Sequence, residues 1–421
     1  MAKFCVVGAG AAGLPALKML LDEGYEVDCF EKSDKVGGHW NSDYDFLHLI
    51  TSKNVTGYEH WPMPDDYPLF PSKDLMLKYF NDYAKHFGLL EKITFNTEVS
   101  SVVPVSGNGL PGSNGWEVKT NSGKSEIYDG VFIANGHLWD CKIPEFPGEF
   151  TGKQIHSGKY KNTKDTDGRV LVVGAGNSGC DLAVDCAQDL IDTSIVMRRG
   201  QYFQPKTFFG KPRAELAFMK EFTFEEQDLI TRLMMKLSVG TAEDYGLPKV
   251  EHNALADGPP VVNNLLMYWI QHGRIKIKPG ITKFEGKKVF FEDDSVEEFD
   301  TILWATGFNC SLPMLDESLI ERKDNVPLRY GAGVVPVGLE KLYYIGLIAA
   351  RGGQPMQYPI QMELAIRMVK LHESSKSGVA PVAQTLAKVQ EKEWRVDILR
   401  PIWFEQIEHT KAVLAGMEAS K

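Results

Sequence analysis

Two short glycine runs constrain this chain more than any other feature. Gly8-Ala9-Gly10-Ala11-Ala12-Gly13 and Gly174-Ala175-Gly176-Asn177-Ser178-Gly179 share the spacing G-x-G-x-x-G. Each follows a short apolar run and opens a helical pattern that leads to another apolar run. Lys3–Val7 is too short for a helix and predicts a buried parallel strand. The helix after it runs through Leu21 and tolerates Pro15 in its first turn. Gly24 stops that helix, and Glu26–Phe30 predicts a second strand ending at Glu31. The second unit repeats the pattern, with a strand over Arg169–Val173, a helix over Asp181–Ile191 and a strand over Ser194–Met197. In such a unit the glycines let the backbone approach a pyrophosphate at the helix N-terminus. One motif alone is weak, but two complete strand–helix–strand contexts predict an α/β chain with two Rossmann-like dinucleotide-binding domains.

The two units end differently. Glu31 closes the first, and an acid there accepts hydrogen bonds from an unmodified ribose, as in FAD or NAD. Arg198 and Arg199 close the second, where a guanidinium fits the 2′-phosphate of NADPH. The plain alternative for the two arginines is a solvated charge pair. Gly37-Gly38-His39-Trp40 suits a loop over a bound cofactor, or else a turn with a core Trp. Asn54 lies in an aromatic- and proline-rich loop over residues 47–70, where Asn also serves as a turn former. Gly352-Gly353, before a helix expected over Tyr358–His372, offers backbone donors. Ser72 is the expected N-cap of a helix reaching Phe87. Strands are also expected over Ile93–Pro104, Trp116–Lys119, Val131–Ala134, Thr301–Ala305 and Leu342–Ile348, with a meander made of Arg274–Lys278, Lys288–Phe291 and Val296–Phe299. A proline-rich connector through Pro147-Gly148 marks a boundary. The resulting division places the first part of the acid-ended dinucleotide domain at 1–160 and the arginine-ended domain, inserted into it, at 161–305. The rest of the acid-ended domain and the C-terminal helices follow at 306–421. Residues 201–260, with one helix over Phe224–Leu237, form an insertion that shapes or covers a pocket.

Composition narrows the partners. With 43% apolar and 24% charged residues, the 421-residue chain can bury large cores. A net charge of −10 argues against nucleic acid or an anionic membrane as the main partner. The six cysteines include no CxxC pair, so neither a zinc ribbon nor a dithiol redox motif is expected, and no metal site. A strand beginning at Lys3 leaves no room for a signal peptide, and no apolar run reaches membrane-span length. A cytoplasmic protein is the expectation, with a homodimer as the commonest closed assembly.

Between the glycine units lies Phe150-x-Gly152-x-x-x-His156-x-x-x-Tyr160, and Ala305-Thr306-Gly307-Phe308 follows the second. With Pro62-Met63-Pro64-Asp65-Asp66-Tyr67-Pro68, these segments make a chain that resembles the class B flavin-dependent monooxygenases of the flavin-containing monooxygenase type. The resemblance covers most of Lys3 to about Lys370. Related Baeyer–Villiger enzymes usually carry Trp where Tyr160 stands, so Tyr160 favours the amine- and sulfur-oxygenating branch. The stretch after Asn54 is shorter than is common in the family. A hydrophobic C-terminal anchor, as in animal members, is missing, so the chain is similar to the shorter, soluble microbial members.

The resemblance implies the roles. FAD would be held by Gly8, Ala9, Gly10, Ala11, Ala12, Gly13 and Glu31, with His39 and Trp40 near the flavin. NADPH would be held by Gly174, Gly176, Asn177, Ser178, Gly179, Arg198 and Arg199. Val55, Thr306 and Gln354 join the cofactor contacts, and Asn54 becomes the catalytic residue beside the flavin and the nicotinamide. NADPH would reduce the flavin, dioxygen would add to give a 4a-hydroperoxyflavin, and that species would oxygenate a small amine or sulfide, indole included. The cofactor carries this chemistry, so no triad or carboxylate pair is needed. Three rivals are a Baeyer–Villiger oxygenase, a disulfide reductase, which would need paired cysteines, and a flavoprotein sensor. His156 is expected to couple the domains structurally rather than to react.

Overall fold

The computed structural model describes residues 2–251, 258, 260–374 and 381–420. Residues 252–257 and 259 of the expected insertion, and Lys421 at the end of the expected closing helix, lie outside the described residues.

The two glycine units each nucleate a five-stranded parallel sheet. In the first, the order is Leu342–Tyr344, Gly130–Ile133, Lys3–Val7, Glu26–Phe30 and Ile93–Thr94. In the second, it is Ile275–Lys278, Thr193–Val196, Val170–Val173, Thr301–Trp304 and Lys153–His156. The central strands are buried along their whole length, as parallel strands with covered faces must be. The second sheet lies in sequence between the strands of the first, so the polypeptide leaves one Rossmann unit, builds the other and returns. No helix among the described residues is long and apolar enough to cross a membrane.

Each unit also carries a three-stranded antiparallel meander just before its returning strand. The first is Val99–Pro104, Trp116–Thr120 and Ser125–Tyr128. The second is Ile281–Glu285, Lys288–Phe291 and Val296–Glu298. The sequence-based meander differs from the second of these. Ile275–Lys278 is an edge strand of the parallel sheet, paired to Thr193–Val196, and Ile281–Glu285 takes its place. Likewise Lys153–His156 pairs with Thr301–Trp304, so this strand belongs to the second sheet although a boundary after residue 160 assigns it to the first domain.

Local chemistry explains the helices that frame the site. Ser72 Oγ accepts from the Leu75 N–H and caps Lys73–His86. The second glycine loop opens its helix at once, so that helix spans Asn177–Gln188 rather than starting at Asp181. In the insertion, Thr223 and Glu226 form a reciprocal capping box that starts Phe224–Ser238. The helix Gln357–Ser374 packs on Gly13–Asp22, and Leu14, Leu17, Met362 and Trp403 share one buried core. Val172, Leu182, Ile195 and Leu303 centre the other.

Candidate active site: two glycine loops

The first glycine loop is held by backbone contact. Gly8 has φ +101°, and a side chain there would begin 2.7 Å from the Ala134 carbonyl oxygen. A side chain at Gly13 would begin far inside van der Waals contact with the Gly8 carbonyl, so strand and helix approach as only glycine permits. Glu31 is buried and accepts from the Ala9 N–H at 2.8 Å and from Ser33 N–H and Oγ at 2.9 and 2.8 Å. Its carboxylate therefore pins the loop and keeps acceptor capacity for a ribose. The Gly37 N–H donates to Ala9 O at 3.1 Å, which lays Gly38 and its neighbours His39 and Trp40 against Gly10. His39 Nδ1 meets Asp43 Oδ2 at 2.7 Å, and its ring stacks on Trp40.

The Asn54 segment sits between this loop and the Gly352-Gly353 turn. Tyr58 OH donates to Ala11 O at 2.6 Å. Gly353 abuts the Val55 and Thr56 backbone so closely that no side chain fits. Ala12 lies under Gly346. Gln354 Nε2 donates to Ala350 O at 3.0 Å and holds that turn. Asn54 is exposed, and its amide donates to both oxygens of Glu215, at 3.3 and 3.2 Å. Ser52 Oγ donates to the same carboxylate. Glu215, from the insertion, was not among the residues singled out in the sequence; its only signal is its place in a segment expected to cover a pocket. Nearby, Asn135 Oδ1 is buried without a hydrogen-bond partner among the described residues, and the Asn135 backbone borders Gly8. A buried, unsatisfied acceptor beside a phosphate loop fits a polar ligand atom.

The second loop repeats the geometry with a different outlook. Gly174 has φ +108° against the Ala305 carbonyl, and Gly179 packs on Gly174. Gly176 has no described residue within 4 Å of where a side chain would begin, leaving open space above the helix N-terminus. Asn177 Oδ1 is already used, accepting from the Val262 N–H at 2.8 Å. Ser178 reaches Tyr44, whose hydroxyl donates to Asp181 at 2.9 Å across the two units. Burial raises the Asp181 carboxyl above its ordinary value. Arg198 and Arg199 are exposed and converge with Gly174, Ala175 and Thr306 on a cleft of about 170 Å³. Pro144 and Phe146, from the proline-rich connector, and Gln201, just past the two arginines, also line it. A larger cavity of about 230 Å³, between Tyr202, Met235 and Tyr245 in the insertion, shares only Gln201 with this cleft.

The sequence from residue 1 to residue 401 matches the family described as Flavin-binding monooxygenase-like. The chain belongs to that family. It is 36% identical over 380 residues to flavin-containing monooxygenase 5 of Oryctolagus cuniculus, covering 83% of this chain and 70% of that one. It is 32% identical over 396 residues to dimethylaniline monooxygenase [N-oxide-forming] 2 of the same animal, covering 87% and 73%. Its fold is similar to that of a flavin-containing monooxygenase from Stenotrophomonas maltophilia, with TM-score 0.68 at 19% identity over 89% of this chain and 100% of that one. It is also similar to cyclohexanone monooxygenase, with TM-score 0.73 at 18% identity over 100% and 98%.

As a flavin monooxygenase the chain uses FAD and NADPH, and both loops fit that pair: the acid-ended first and the arginine-ended second. Its signature His156 is buried with both ring nitrogens used. Nε2 donates to Gly307 O at 2.9 Å, and Nδ1 accepts from the Gly158 N–H at 3.1 Å. Tyr160 OH donates to Asp185 Oδ2 at 2.6 Å, tying the same turn to the helix Asn177–Gln188. Burial lowers the His156 imidazole below its ordinary value, so as pH falls the unfolded chain takes up a proton before the folded one. The stability of this corner is full above about pH 6.5 and declines below it. His156→Asn is expected to cost about 1–3 kcal/mol at pH 8 and to flatten the pH dependence of urea unfolding between pH 7 and 5. An unchanged slope would show that His156 does not titrate with unfolding.

Proposed function

We propose that this flavin monooxygenase oxygenates soft nucleophiles, the nitrogen of tertiary amines or the sulfur of thioethers, with indole as a further substrate. The observation that carries the reading is its relationship to an N-oxide-forming dimethylaniline monooxygenase across 87% of the chain. Tyr160 within the motif supports the same branch. Bound reduced flavin supplies activated oxygen from dioxygen. The protein's part is to bind, orient and keep water out. Among the described residues no three His, Cys, Asp or Glu side chains gather as a metal set. Burial pushes the Cys180 and Cys186 thiols up, away from the reactive thiolate a disulfide reductase uses.

In this reading Gly8 to Gly13, Glu31, His39, Trp40, Val55 and Gln354 serve FAD, and Gly174, Gly176, Asn177, Ser178, Gly179, Arg198, Arg199 and Thr306 serve NADPH. Asn54 is the catalytic residue, its amide released from Glu215 to hydrogen-bond between flavin and nicotinamide. Asn54→Ala is expected to retain flavin while most NADPH consumption yields hydrogen peroxide instead of oxygenated product. Comparing peroxide with product per NADPH checks this, and coupled turnover in the variant would remove Asn54 from the role.

A second reading, Baeyer–Villiger oxygenation of ketones, is favoured by the fold likeness to cyclohexanone monooxygenase. A panel of dimethylaniline, trimethylamine, a thioether, indole and cyclohexanone, read by product mass, separates the two. N-oxide or sulfoxide supports the first; lactone alone would overturn it.

A further inference from the structure

The insertion carries a cation that neither the fold nor the roles above use. Lys206 is half-buried, and its ammonium has no hydrogen bond or ion pair among the described residues. Burial lowers its pKa, with only the Asp181 charge opposing. The ammonium stands 5.2 Å from the centre of the Phe70 ring, so it reaches from the NADPH unit onto the aromatic loop of the FAD unit.

Its backbone is tied to the second phosphate loop in two steps. The Gln204 N–H donates to Val261 O at 2.9 Å, and the Val262 N–H donates to Asn177 Oδ1 at 2.8 Å, on the first residue of the helix. Asp181, one turn into that helix, feels the Lys206 charge. On the other side, the Arg213 N–H donates to Lys206 O at 3.1 Å and closes the hairpin over residues 207–212. Burial lowers the Arg213 guanidinium to about 10, and its Nε has no hydrogen-bond partner among the described residues. Withdrawing a lysine from water without an acid partner is unfavourable, and an anionic ligand removes that penalty. The open space above Gly176, at the helix N-terminus, is where a phosphate group is favoured.

We propose that Lys206 binds the diphosphate bridge of NADPH, holding the nucleotide from the insertion side while Arg198 and Arg199 take its 2′-phosphate. The two contacts have different signatures, because the diphosphate is common to NADPH and NADH and the 2′-phosphate is not. The inference rests on NADPH occupying the second loop.

Lys206→Met keeps the packing on Phe70 and removes the charge. Calorimetric titration of the flavin-loaded protein with NADP+ and with NAD+ should show both weakened about tenfold. Lys206→Arg should restore most of the affinity. Arg198→Ala, measured in parallel, should weaken NADP+ alone. Unchanged affinity in Lys206→Met, or a loss confined to NADP+, would overturn the assignment. The thermal midpoint of nucleotide-free Lys206→Met should stay at or above that of the parent. A drop in that midpoint matching the loss of affinity, with no rescue by Lys206→Arg, would mark a structural role instead. If Arg198→Ala fails to discriminate while Lys206→Met weakens both nucleotides, the 2′-phosphate reading falls and the diphosphate contact stands.

Discussion

Arg198→Ala is expected to weaken NADPH binding roughly 30- to 100-fold while changing NADH binding less than about threefold. The reason is geometric as well as electrostatic. Arg198 lies two residues past the strand Thr193–Val196 and lines the cleft shared by Gly174 and Thr306. It is exposed, and no described acid holds it, so a 2′-phosphate competes with water alone for its guanidinium. Guanidinium–phosphate pairs are charge-assisted and often bidentate, whereas an unmodified ribose presents only a hydroxyl. Arg199 offers a neighbouring cation, so Arg199→Ala should lose less and the double variant more than either. Comparing kcat/KM for NADPH and NADH, with nucleotide Kd measured separately, checks this. Equal losses for both nucleotides would remove Arg198 from the 2′-phosphate.

The second large effect contrasts two glycines three residues apart. A methyl at Gly179 would overlap the Gly174 carbonyl and press on Ala305, both fixed by the central strands Val170–Val173 and Thr301–Trp304. Neither neighbour is a flexible side chain, so Gly179→Ala should cost about 3 kcal/mol or more and lower the yield of folded protein. A methyl at Gly176 meets no atom of the described residues within 4 Å. Gly176→Ala should therefore melt within a few degrees of the parent. It should nevertheless lose most of its NADPH affinity, because the new methyl occupies the approach of the phosphates. A Gly176→Ala protein that binds NADPH normally would show that the nucleotide does not cross this loop closely. A fully stable Gly179→Ala would show that the helix can shift away from its strand.

Much of this molecule was legible without coordinates, for a stated reason. A Rossmann nucleus is local. Strand, glycine turn, helix and strand follow one another within about thirty residues, so Lys3–Val7, Gly13–Asp22 and Glu26–Phe30 emerge from apolar run length and glycine spacing alone. Ser72 was equally readable, because an N-cap and the helix it serves are contiguous. The weaker readings concern non-local pairing. Lys153–His156, Lys-Gln-Ile-His with only its last residue buried, has no apolar run to mark it, and Ile275–Lys278 alternates isoleucine with lysine without specifying its partner. Ser125–Tyr128 was passed over because its Ser-Glu-Ile-Tyr sequence pairs on one side only, with Trp116–Thr120, and lacks a buried run. In the insertion helix, the apolar pattern leads inward at Ile230, Met234 and Met235, while Leu229, Leu233 and Leu237 face solvent.

What the amino-acid order determined by itself is therefore the pair of nucleotide units and the difference between them, an acid after one and two arginines after the other. Both follow from interactions spanning a few turns of chain. What only the tertiary structure decided is how the units face each other. It brought Glu215 of the insertion onto Ser52 and Asn54, set Lys206 over Phe70 and brought Pro144, Phe146 and Gln201 into the cleft lined by Arg198 and Arg199. It also used up both nitrogens of His156 on backbone groups, one of them 151 residues away. Those outcomes depend on packing between segments far apart in sequence, and no local pattern encodes which distant surface a side chain will meet.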